Sequence, residues 1–191
     1  MKVTKTPIEG VVIIEPTVFG DERGYFFESF SLREFAEKVR PVNFVQDNES
    51  KSKYGVVRGL HFQKGADAQS KLVRVVEGRV LDVAVDIRKG SPTFGQHVAV
   101  ELSAENKRQF FVPRGFAHGF AVLSETATFQ YKCDNYYAPH NEGAVAWDDP
   151  ALGIDWQIPA TEVILSQKDA HHPTLADAEE QLFDYNTDYY A

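Results

Sequence analysis

Two short motifs carry the histidines that are best placed to do chemistry. Residues 55–63 read Gly-Val-Val-Arg-Gly-Leu-His-Phe-Gln, and residues 113–118 read Pro-Arg-Gly-Phe-Ala-His. His61 and His118 each follow an apolar, glycine-containing run, where a single histidine could equally be a core residue bonded to the backbone. Two histidines in such contexts favour a shared cavity. Imidazole in a cavity can either bind a metal ion or transfer a proton.

The two motifs resemble the half-motifs of the cupin barrels, in which two turns point histidines into the mouth of a β-barrel. Metal-binding cupins carry His-x-His in the first motif, and here Gln63 stands at the second histidine. A catalytic metal usually needs three strong protein ligands. His61, His118, Gln63 and Asp67 would form a weak set. The sequence therefore predicts proton chemistry without a metal or other cofactor, and a metal-dependent cupin enzyme is the alternative.

The spacing of apolar runs and turn residues predicts an all-β fold. Such a rhythm is typical of a sandwich or barrel, and a chain of 191 residues fits one such domain. We therefore expect a single cupin-type jelly-roll domain, a β-sandwich or barrel over residues 1–191. The expected strands are residues 11–15, 24–30, 42–46, 56–62, 72–76, 80–87, 97–102, 110–112, 120–123 and 127–132.

Local patterns add a hairpin and a few short peripheral helices to this expectation. Apolar side chains alternate with polar or small ones over residues 80–87, which is the two-residue period of a strand. Glu77-Gly78 predicts a tight hairpin before it. Ser31 and Glu34 form a capping box that predicts a helix to residue 39, and Thr174 could open a second helix. The acidic, tyrosine-rich residues 184–191 could be a packed arm or a loose end.

Composition narrows the class of partner and the compartment. A formal net charge of −8 argues against a nucleic acid, whose phosphates require many clustered cations. One small phosphorylated ligand remains compatible, because a few convergent arginines can hold it. Cys133 is the single cysteine, so a reducing cytoplasmic location is expected. The first residues have no apolar signal region, and no run of about 18 apolar residues predicts a membrane span.

Several separate motifs together resemble the dTDP-4-dehydrorhamnose 3,5-epimerase family, over about residues 8–175. The motifs stand in the family's order along the chain. They are Phe-Gly-Asp-Glu-Arg-Gly-Tyr-Phe-Phe-Glu at 19–28, Gln-Asp-Asn at 46–48, Gly-Leu-His-Phe-Gln at 59–63, Pro-Arg-Gly-Phe-Ala-His-Gly-Phe at 113–120 and Leu-Ser-Gln-Lys-Asp at 165–169.

The resemblance implies an enzyme that inverts C3 and C5 of a dTDP-linked 4-keto-6-deoxyglucose without a cofactor. It implies His61 as the base, Asp169 as the carboxylate that orients it, Lys71 as the cation beside the C4 oxygen, and Tyr131 as the proton donor on the opposite face of the sugar. By position alone, Lys71 would be an edge charge, Tyr131 an ordinary strand residue and Asp169 a turn residue.

The same resemblance implies a set of substrate-binding residues and a homodimer in which the partner's N-terminal strand covers an open sheet edge. Tyr137 stands where an aromatic ring stacks on thymine, and Arg114 replaces a residue that is often acidic in relatives. Three alternatives remain open: a single-carbon epimerase, a ketoisomerase of the same fold and a non-catalytic sugar-nucleotide binding module. The implied binding residues are Phe19, Arg23, Glu28, Gln46, Asp47, Asn48, Arg58, His118, Tyr137, Glu142 and Lys168.

Overall fold

The computed structural model describes all 191 residues. They form one α-helix, α1 (Leu32–Lys38), short 3₁₀ turns and fifteen β-strands. The strands are β1 (Lys2–Lys5), β2 (Val12–Glu15), β3 (Phe19–Asp21), β4 (Gly24–Phe26), β5 (Gln46–Lys53), β6 (Val57–Gln63), β7 (Lys71–Glu77), β8 (Arg79–Asp86), β9 (Arg88–Lys89), β10 (His97–Ser103), β11 (Gln109–Val112), β12 (Phe116–Val122), β13 (Thr126–Cys133), β14 (Glu142–Ala144) and β15 (Phe183–Asp184).

Two antiparallel sheets make up the body of the protein. The first sheet has six strands in the order β1-β2-β11-β7-β13-β5, and the second has five in the order β10-β8-β12-β6-β14. Their facing sides share one apolar core, in which Phe110 and Phe129 of the first sheet pack with Phe120 and Val80 of the second. Two sheets packed face to face around such a core confirm the predicted all-β jelly-roll sandwich.

The outer side of each sheet is covered by a different part of the chain. Helix α1 lays Phe35 on the first sheet against Phe111. The second sheet is covered by the C-terminal third of the chain, whose Trp156 and Leu175 pack on apolar side chains of β6 and β8. The core therefore has three apolar layers, and the cavity-forming residues lie in the middle one.

Strand β8 shows how the two-residue period divides these layers. Leu81 and Val83 point outward into the layer beneath the C-terminal segment, whereas Ala84 points into the core between the sheets. The predicted strand is confirmed, and its polar or small face is the inward one. This orientation brings the fully buried Asp82 between the sheets, where its Oδ1 lies 2.9 Å from Nε2 of His118.

The predicted hairpin at Glu77-Gly78 is wrong. β7 belongs to the first sheet and β8 to the second, so this turn carries the chain from one sheet to the other. Gly78 has φ of +75°, and a Cβ there would lie 2.0 Å from the carbonyl oxygen of Thr126. Both the conformation and the contact require glycine. The turn at Gly78 was therefore predicted correctly, whereas the pairing of the two strands beside it was not.

The capping-box prediction is half correct. Ser31 is the N-cap of α1 and its Oγ accepts from the backbone N–H of Glu34 at 3.4 Å. The Glu34 carboxylate does not reach back to the cap, because it binds the amino terminus of Met1 at 3.2 Å and the ammonium of Lys38. The helix expected at Thr174 is only a capped turn, in which the Thr174 hydroxyl accepts from the backbone of Asp177.

Three predicted strands differ from the observed ones. The strand predicted at 42–46 is wrong, because Val42 and Phe44 pack beneath α1 and β5 begins at Gln46. The strand predicted at 24–30 ends at Phe26. The strand predicted at 120–123 is the end of β12, which begins at Phe116. Among the helical segments, none has the length and hydropathy of a membrane span.

The C-terminal tail is a packed arm. The hydroxyl of Tyr190 lies 2.6 Å from Oγ of Ser70 and accepts from the backbone N–H of Arg114 at 3.0 Å. The Arg114 guanidinium donates to Asp134 and to the carbonyl of Tyr189. Arg114 therefore fastens the tail to the loops that precede β7 and follow β13.

Strands β6 and β12 approach each other unusually closely. Gly59 has φ of +112°, and a Cβ there would lie 2.6 Å from Cα of Gly119 and from the carbonyl oxygen of His118. A Cβ on Gly119 would in turn lie 2.6 Å from the carbonyl oxygen of Arg58. The glycines of the two sequence motifs thus allow the strands that carry His61 and His118 to lie side by side.

Candidate active site

A cavity of about 370 Å³ opens between the two sheets and adjoins a recess of about 150 Å³. His61, Lys71 and Tyr131 line both spaces. His61 comes from β6 of the second sheet, whereas Lys71 and Tyr131 come from β7 and β13 of the first. An imidazole and a phenol therefore approach the same space from opposite walls.

The imidazole of His61 is held by a carboxylate. Its Nε2 lies 2.5 Å from Oδ1 of Asp169, which is almost fully buried on the 3₁₀ turn Asp169–His171. Burial alone would raise the pKa of Asp169, but hydrogen bonds from His61 and Ser166 outweigh it and hold that pKa well below its usual range. An ionised Asp169 fixes a proton on Nε2 of His61. Nδ1, which has no protein partner, is left to accept one.

Lys71 is a cation without a partner. It begins β7, a central strand of the first sheet, and forms no ion pair or hydrogen bond with any other side chain. Burial lowers the pKa of its ammonium group, although the carboxylates of Asp82 and Glu142 oppose that shift. The expectation, from position alone, that Lys71 is a solvated edge charge is therefore wrong. An unpaired, partly desolvated ammonium is well suited to stabilise an anion that forms beside it.

The phenol of Tyr131 stays protonated over a wide range of pH. Burial raises its pKa, and the nearby Cys133 raises it further. Its ring lies 5.8 Å from the ammonium of Lys71 and packs against Phe129. A phenol held in this way can donate a proton into the cavity at neutral pH.

Arg58 adds a second unpaired cation at the edge of the smaller recess. Its Nε and Nη2 donate to Oγ of Ser52 at 3.1 and 3.0 Å, and no carboxylate neutralises it. Asp169 and Glu142, by contrast, are each paired within the site. Although the chain carries a net charge of −8, Arg58 and Lys71 therefore make this cavity favourable for an anion.

The rim of the cavity is tied together by hydrogen bonds. The Tyr137 hydroxyl donates to Glu142 at 3.1 Å, and the ammonium of Lys168 pairs with the same carboxylate. The backbone N–H of Tyr137 donates to Gln46, whose amide donates to Asn48 at 3.0 Å. All five residues belong to the set implied by resemblance, and the exposed Tyr137 ring presents a flat surface at the cavity mouth.

Four residues of that set do not reach this cavity. Asp47 points from β5 to the outer side of the first sheet, where it pairs with Lys132 at 3.0 Å. Phe19 and Arg23 lie on the hairpin of β3 and β4, and Arg23 is bound to Asp21. Glu28 is exposed beyond that hairpin, beside α1. Within one chain none of these four residues lines the cavity, so their contact with substrate stays a prediction.

A family model described as dTDP-4-dehydrorhamnose 3,5-epimerase matches residues 5–177. The chain belongs to this family. Its similarity to individual members covers nearly the full length. An epimerase of that name from Salmonella typhimurium is 60% identical over 182 residues, which is 93% of this chain and 97% of the relative.

Solved structures of the family have the same fold. The crystal structure of a dTDP-6-deoxy-D-glucose-3,5-epimerase from Legionella pneumophila, in complex with dTDP-4-keto-L-rhamnose, is 51% identical, with a TM-score of 0.94 over 97% of this chain and 99% of that one. A 3′-monoepimerase from Streptomyces bikiniensis, in complex with dTDP-quinovose, is 36% identical, with a TM-score of 0.87 over 94% of this chain and 92% of that one. The fold thus serves both double and single epimerases.

His118, which resemblance implies as a substrate contact, is almost fully buried. It is 6% exposed, lines the smaller recess, and is bonded through Nε2 to the fully buried Asp82. Oδ2 of Asp82 has no hydrogen-bond partner. The alternation in β8 indicated that Asp82 faces away from Leu81, but no local signal linked it to His118, which is 36 residues away.

Gln63 and His172 are the residues whose roles sequence reasoning missed. The Gln63 amide donates to the carbonyl oxygens of Asp67 and Tyr136 at 2.7 and 3.1 Å, and its oxygen accepts from the backbone of Ala138. Gln63 therefore organises the loops at the cavity mouth in place of binding a metal. His172 contacts Asp169, with its Nε2 at 3.1 Å from the same Oδ1 that binds His61.

Proposed function

We propose that this family member is a dTDP-4-dehydrorhamnose 3,5-epimerase, which converts dTDP-4-dehydro-6-deoxy-D-glucose to dTDP-4-dehydro-L-rhamnose. One observation carries the proposal: His61 and Tyr131 come from opposite sheets and line one cavity together with Lys71. Inversion at a carbon beside a ketone requires removal of a proton from one face and delivery of a proton to the other. A base and an acid on opposite walls supply both.

In the proposed mechanism, His61 removes the proton from C3 or C5, and the C–H electron pair moves into an enolate on the C4 ketone. Asp169 stabilises the imidazolium that forms. The ammonium of Lys71 stabilises the enolate oxygen, whose charge exists only along the reaction path, so the interaction favours the transition state over the bound substrate. Tyr131 then donates its proton to the opposite face of the carbon. Solvent reprotonates the phenolate and removes the proton from His61.

The charge distribution supports a diphosphate-linked substrate. The guanidinium of Arg58 is oriented by Ser52 and has no carboxylate partner, so it can bind phosphate oxygens through two parallel hydrogen bonds. The exposed ring of Tyr137 at the cavity mouth supports stacking on the base, with Glu142 and Lys168 holding its hydroxyl in place. Proton transfer through His61 and Tyr131 requires no cofactor.

Turnover in deuterium oxide tests this proposal. Product formed by the wild-type protein should carry deuterium at both C3 and C5, with both centres inverted, as read by proton NMR. Activity should survive exhaustive chelation. Absence of deuterium at both carbons would refute the epimerase proposal, and complete loss of activity on chelation would support the metal-dependent alternative.

The second candidate is a single-carbon epimerase, which is favoured by the similarity to the Streptomyces 3′-monoepimerase. His61, Lys71 and Tyr131 could serve that reaction unchanged. The same experiment separates the two, because a single-carbon enzyme leaves one centre in its original configuration. A ketoisomerase would move the ketone away from C4. A binding module would bind the nucleotide sugar and leave all its C–H bonds intact.

We also propose that the functional unit is a homodimer in which each cavity is completed by the partner's hairpin. On the hairpin of β3 and β4, Phe19, Tyr25 and Phe26 are 63%, 63% and 70% exposed. Exposed aromatic residues grouped in this way are typical of an interface. The hairpin also carries Arg23, which resemblance assigns to the substrate and which does not reach its own cavity. Strand β5, an edge strand of the first sheet, lies beside the cavity and is open to pairing.

Complementation between two inactive variants tests this arrangement. Arg23→Ala and His61→Asn homodimers should each be nearly inactive. After mixing under conditions that exchange subunits, heterodimers should regain one intact site each, which restores up to about a quarter of wild-type activity. A monomeric mass in light scattering, or no recovery on mixing, would refute the shared site.

We further propose that residues 1–191 act as one domain. The single cysteine of the chain, Cys133, is buried and unpaired, which suits a cytoplasmic protein.

A further inference from the structure

Three potential metal ligands, one of which is the proposed catalytic base, lie close together. The ligand atoms of His61, Asp169 and His172 all lie within 4.8 Å of one another. Nε2 of His61 and Nε2 of His172 lie 2.5 and 3.1 Å from the same carboxylate oxygen. The two rings are nearly perpendicular, with centroids 5.5 Å apart. His172 has no part in the proton-transfer mechanism, and its side chain is 9% exposed.

This set of groups matches the ligands of zinc enzymes. Catalytic zinc sites use three protein ligands drawn from imidazole and carboxylate, at about 2.0–2.2 Å from the ion, and keep a fourth position open. Ligand atoms in a tetrahedral site of that size are separated by about 3.3 Å. The separation between His172 and Asp169 is already 3.1 Å, and the His61–Asp169 separation of 2.5 Å has to widen. The ligand atoms of the two imidazoles lie within 4.8 Å of each other, so a small rotation of the rings has to bring them to the ion. His61 also lines the substrate cavity, so the open fourth position would face it.

We propose that His61, Asp169 and His172 form a binding site for a divalent ion of the Zn²⁺ class, and that the bound ion reversibly inhibits the enzyme. Coordination takes the lone pair on Nε2 of both rings, so the single proton of each neutral imidazole moves to Nδ1 through solvent. His61 then has no free nitrogen to accept a substrate proton. Asp169 neutralises the ion and no longer orients the base.

The surroundings of the trio favour such a site over other candidate ligands. Ser166 donates to Oδ2 of Asp169 at 2.8 Å, which leaves Oδ1 as the oxygen that faces both imidazoles. Supporting hydrogen bonds of this kind orient metal ligands. The Cys133 thiol is buried, and its pKa is raised to about 11, so it remains protonated and is a poor ligand. The pair of His140 and Asp67, at 3.7 Å, offers only two ligands.

Metal binding can be measured without turnover. Competition with a chromophoric zinc chelator should give one Zn²⁺ per chain, and Co²⁺ should give the intense visible bands of a four-coordinate ion. His172→Gln should weaken Zn²⁺ binding at least tenfold, and so should His172→Phe, which keeps a ring of similar size but has no ligand atom. His171→Gln is the matched control: it removes an exposed neighbouring imidazole and should leave the affinity unchanged. Equal affinity in wild type and both His172 variants, or no stoichiometric binding, overturns the site.

Inhibition is the second measurement, and this part rests on the proposed epimerase activity. Zn²⁺ should inhibit the wild-type protein, a chelator should restore it, and His172→Gln should need at least tenfold more Zn²⁺ for the same inhibition. Stoichiometric binding by a protein that has no epimerase activity would refute the proposed function and leave the metal site standing. An active enzyme whose inhibition by Zn²⁺ is unchanged in both His172 variants would refute the inhibitory site and leave the epimerase standing.

Discussion

Replacing Lys71 by Met should raise stability while it abolishes most of the activity. The ammonium of Lys71 is partly desolvated and has no ion pair or hydrogen bond within the chain. Methionine keeps the unbranched apolar stem and removes the charge. In the proposed mechanism, the same charge stabilises the enolate oxygen. The substitution therefore removes both the free-energy cost of burying the ammonium group and a catalytic group.

The two effects can be given magnitudes. A lowered pKa means that the folded state disfavours the charged form, so the charge destabilises the protein at neutral pH and this loss disappears as the pH rises above the unfolded value. We expect Lys71→Met to raise the free energy of unfolding by about 1 kcal/mol, as is typical when a strained functional residue is replaced. Loss of one preorganised electrostatic donor costs about 2.7–4 kcal/mol in the transition state, so kcat should fall about 10²–10³-fold.

Urea unfolding followed by tryptophan fluorescence gives the stability, and coupled turnover gives kcat. Lys132→Met is the matched control, because Lys132 lies on the outer side of the first sheet and pairs with Asp47. That variant should leave kcat unchanged and lose a little stability. A destabilised Lys71→Met protein, or a kcat within tenfold of wild type, would refute the assignment of Lys71 as the unpaired catalytic cation.

Three further predictions follow from the geometry. Because burial lowers the pKa of Lys71, kcat should decline at a lower pH than that at which an ordinary lysine titrates. Lys71→Arg should move this alkaline limb of the pH–rate profile to higher pH, and an unmoved limb would exclude Lys71 as its source. Gly59→Ala should destabilise the protein by about 3 kcal/mol or more, because it combines positive φ with a backbone clash against Gly119, and thermal unfolding measures this. Arg114→Ala should lower the free energy of unfolding by about 2–3 kcal/mol, because it leaves the buried Asp134 without its ion pair and frees the C-terminal arm. The change in kcat should be far smaller. An unchanged denaturation midpoint would contradict that role.

The fold was predictable where side chains alternate or glycines punctuate the chain. The alternation from Leu81 to Ile87 identified β8, and the glycine-bounded motif identified β6. The sequence Gln-Asp-Asn-Glu-Ser-Lys-Ser-Lys of β5 contains no apolar residue, so periodicity could not find it. One face of β5 lines a polar cavity and the other faces solvent, and tertiary pairing with β13 alone makes it a strand.

The site was predictable only in part because its members are far apart in the chain. The two motifs drew attention to His61 and His118 directly. Their carboxylate partners, Asp169 and Asp82, lie 108 and 36 residues away, and only resemblance suggested the first. Resemblance could not show which side of a strand a residue faces, as Asp47 illustrates. It also could not show that Phe19 and Arg23 lie too far from the cavity of their own chain.

His172 and Arg114 show a different limit of sequence reasoning. His172 belongs to no motif, and Arg114 lies within the second histidine motif but had no predicted role. Each acquires its role from contacts that only the folded chain makes. His172 meets Asp169 because both lie on or beside the same short 3₁₀ turn. Arg114 meets Asp134 and the tail because β12 and β13 bring the loops beside them together.

The most direct test of the central claim is the fate of solvent deuterium in the Tyr131→Phe variant. If His61 and Tyr131 act on opposite faces of the sugar, this variant should still exchange the C3 and C5 protons of the substrate, because His61 can remove a proton and return deuterium to the same face. Inversion should fall about 10²–10⁴-fold, which is the contribution of one positioned proton donor. Proton NMR of recovered substrate should therefore show deuterium with unchanged configuration. Wild-type rates of inversion in Tyr131→Phe, or deuterium exchange that persists in His61→Asn, would contradict the account.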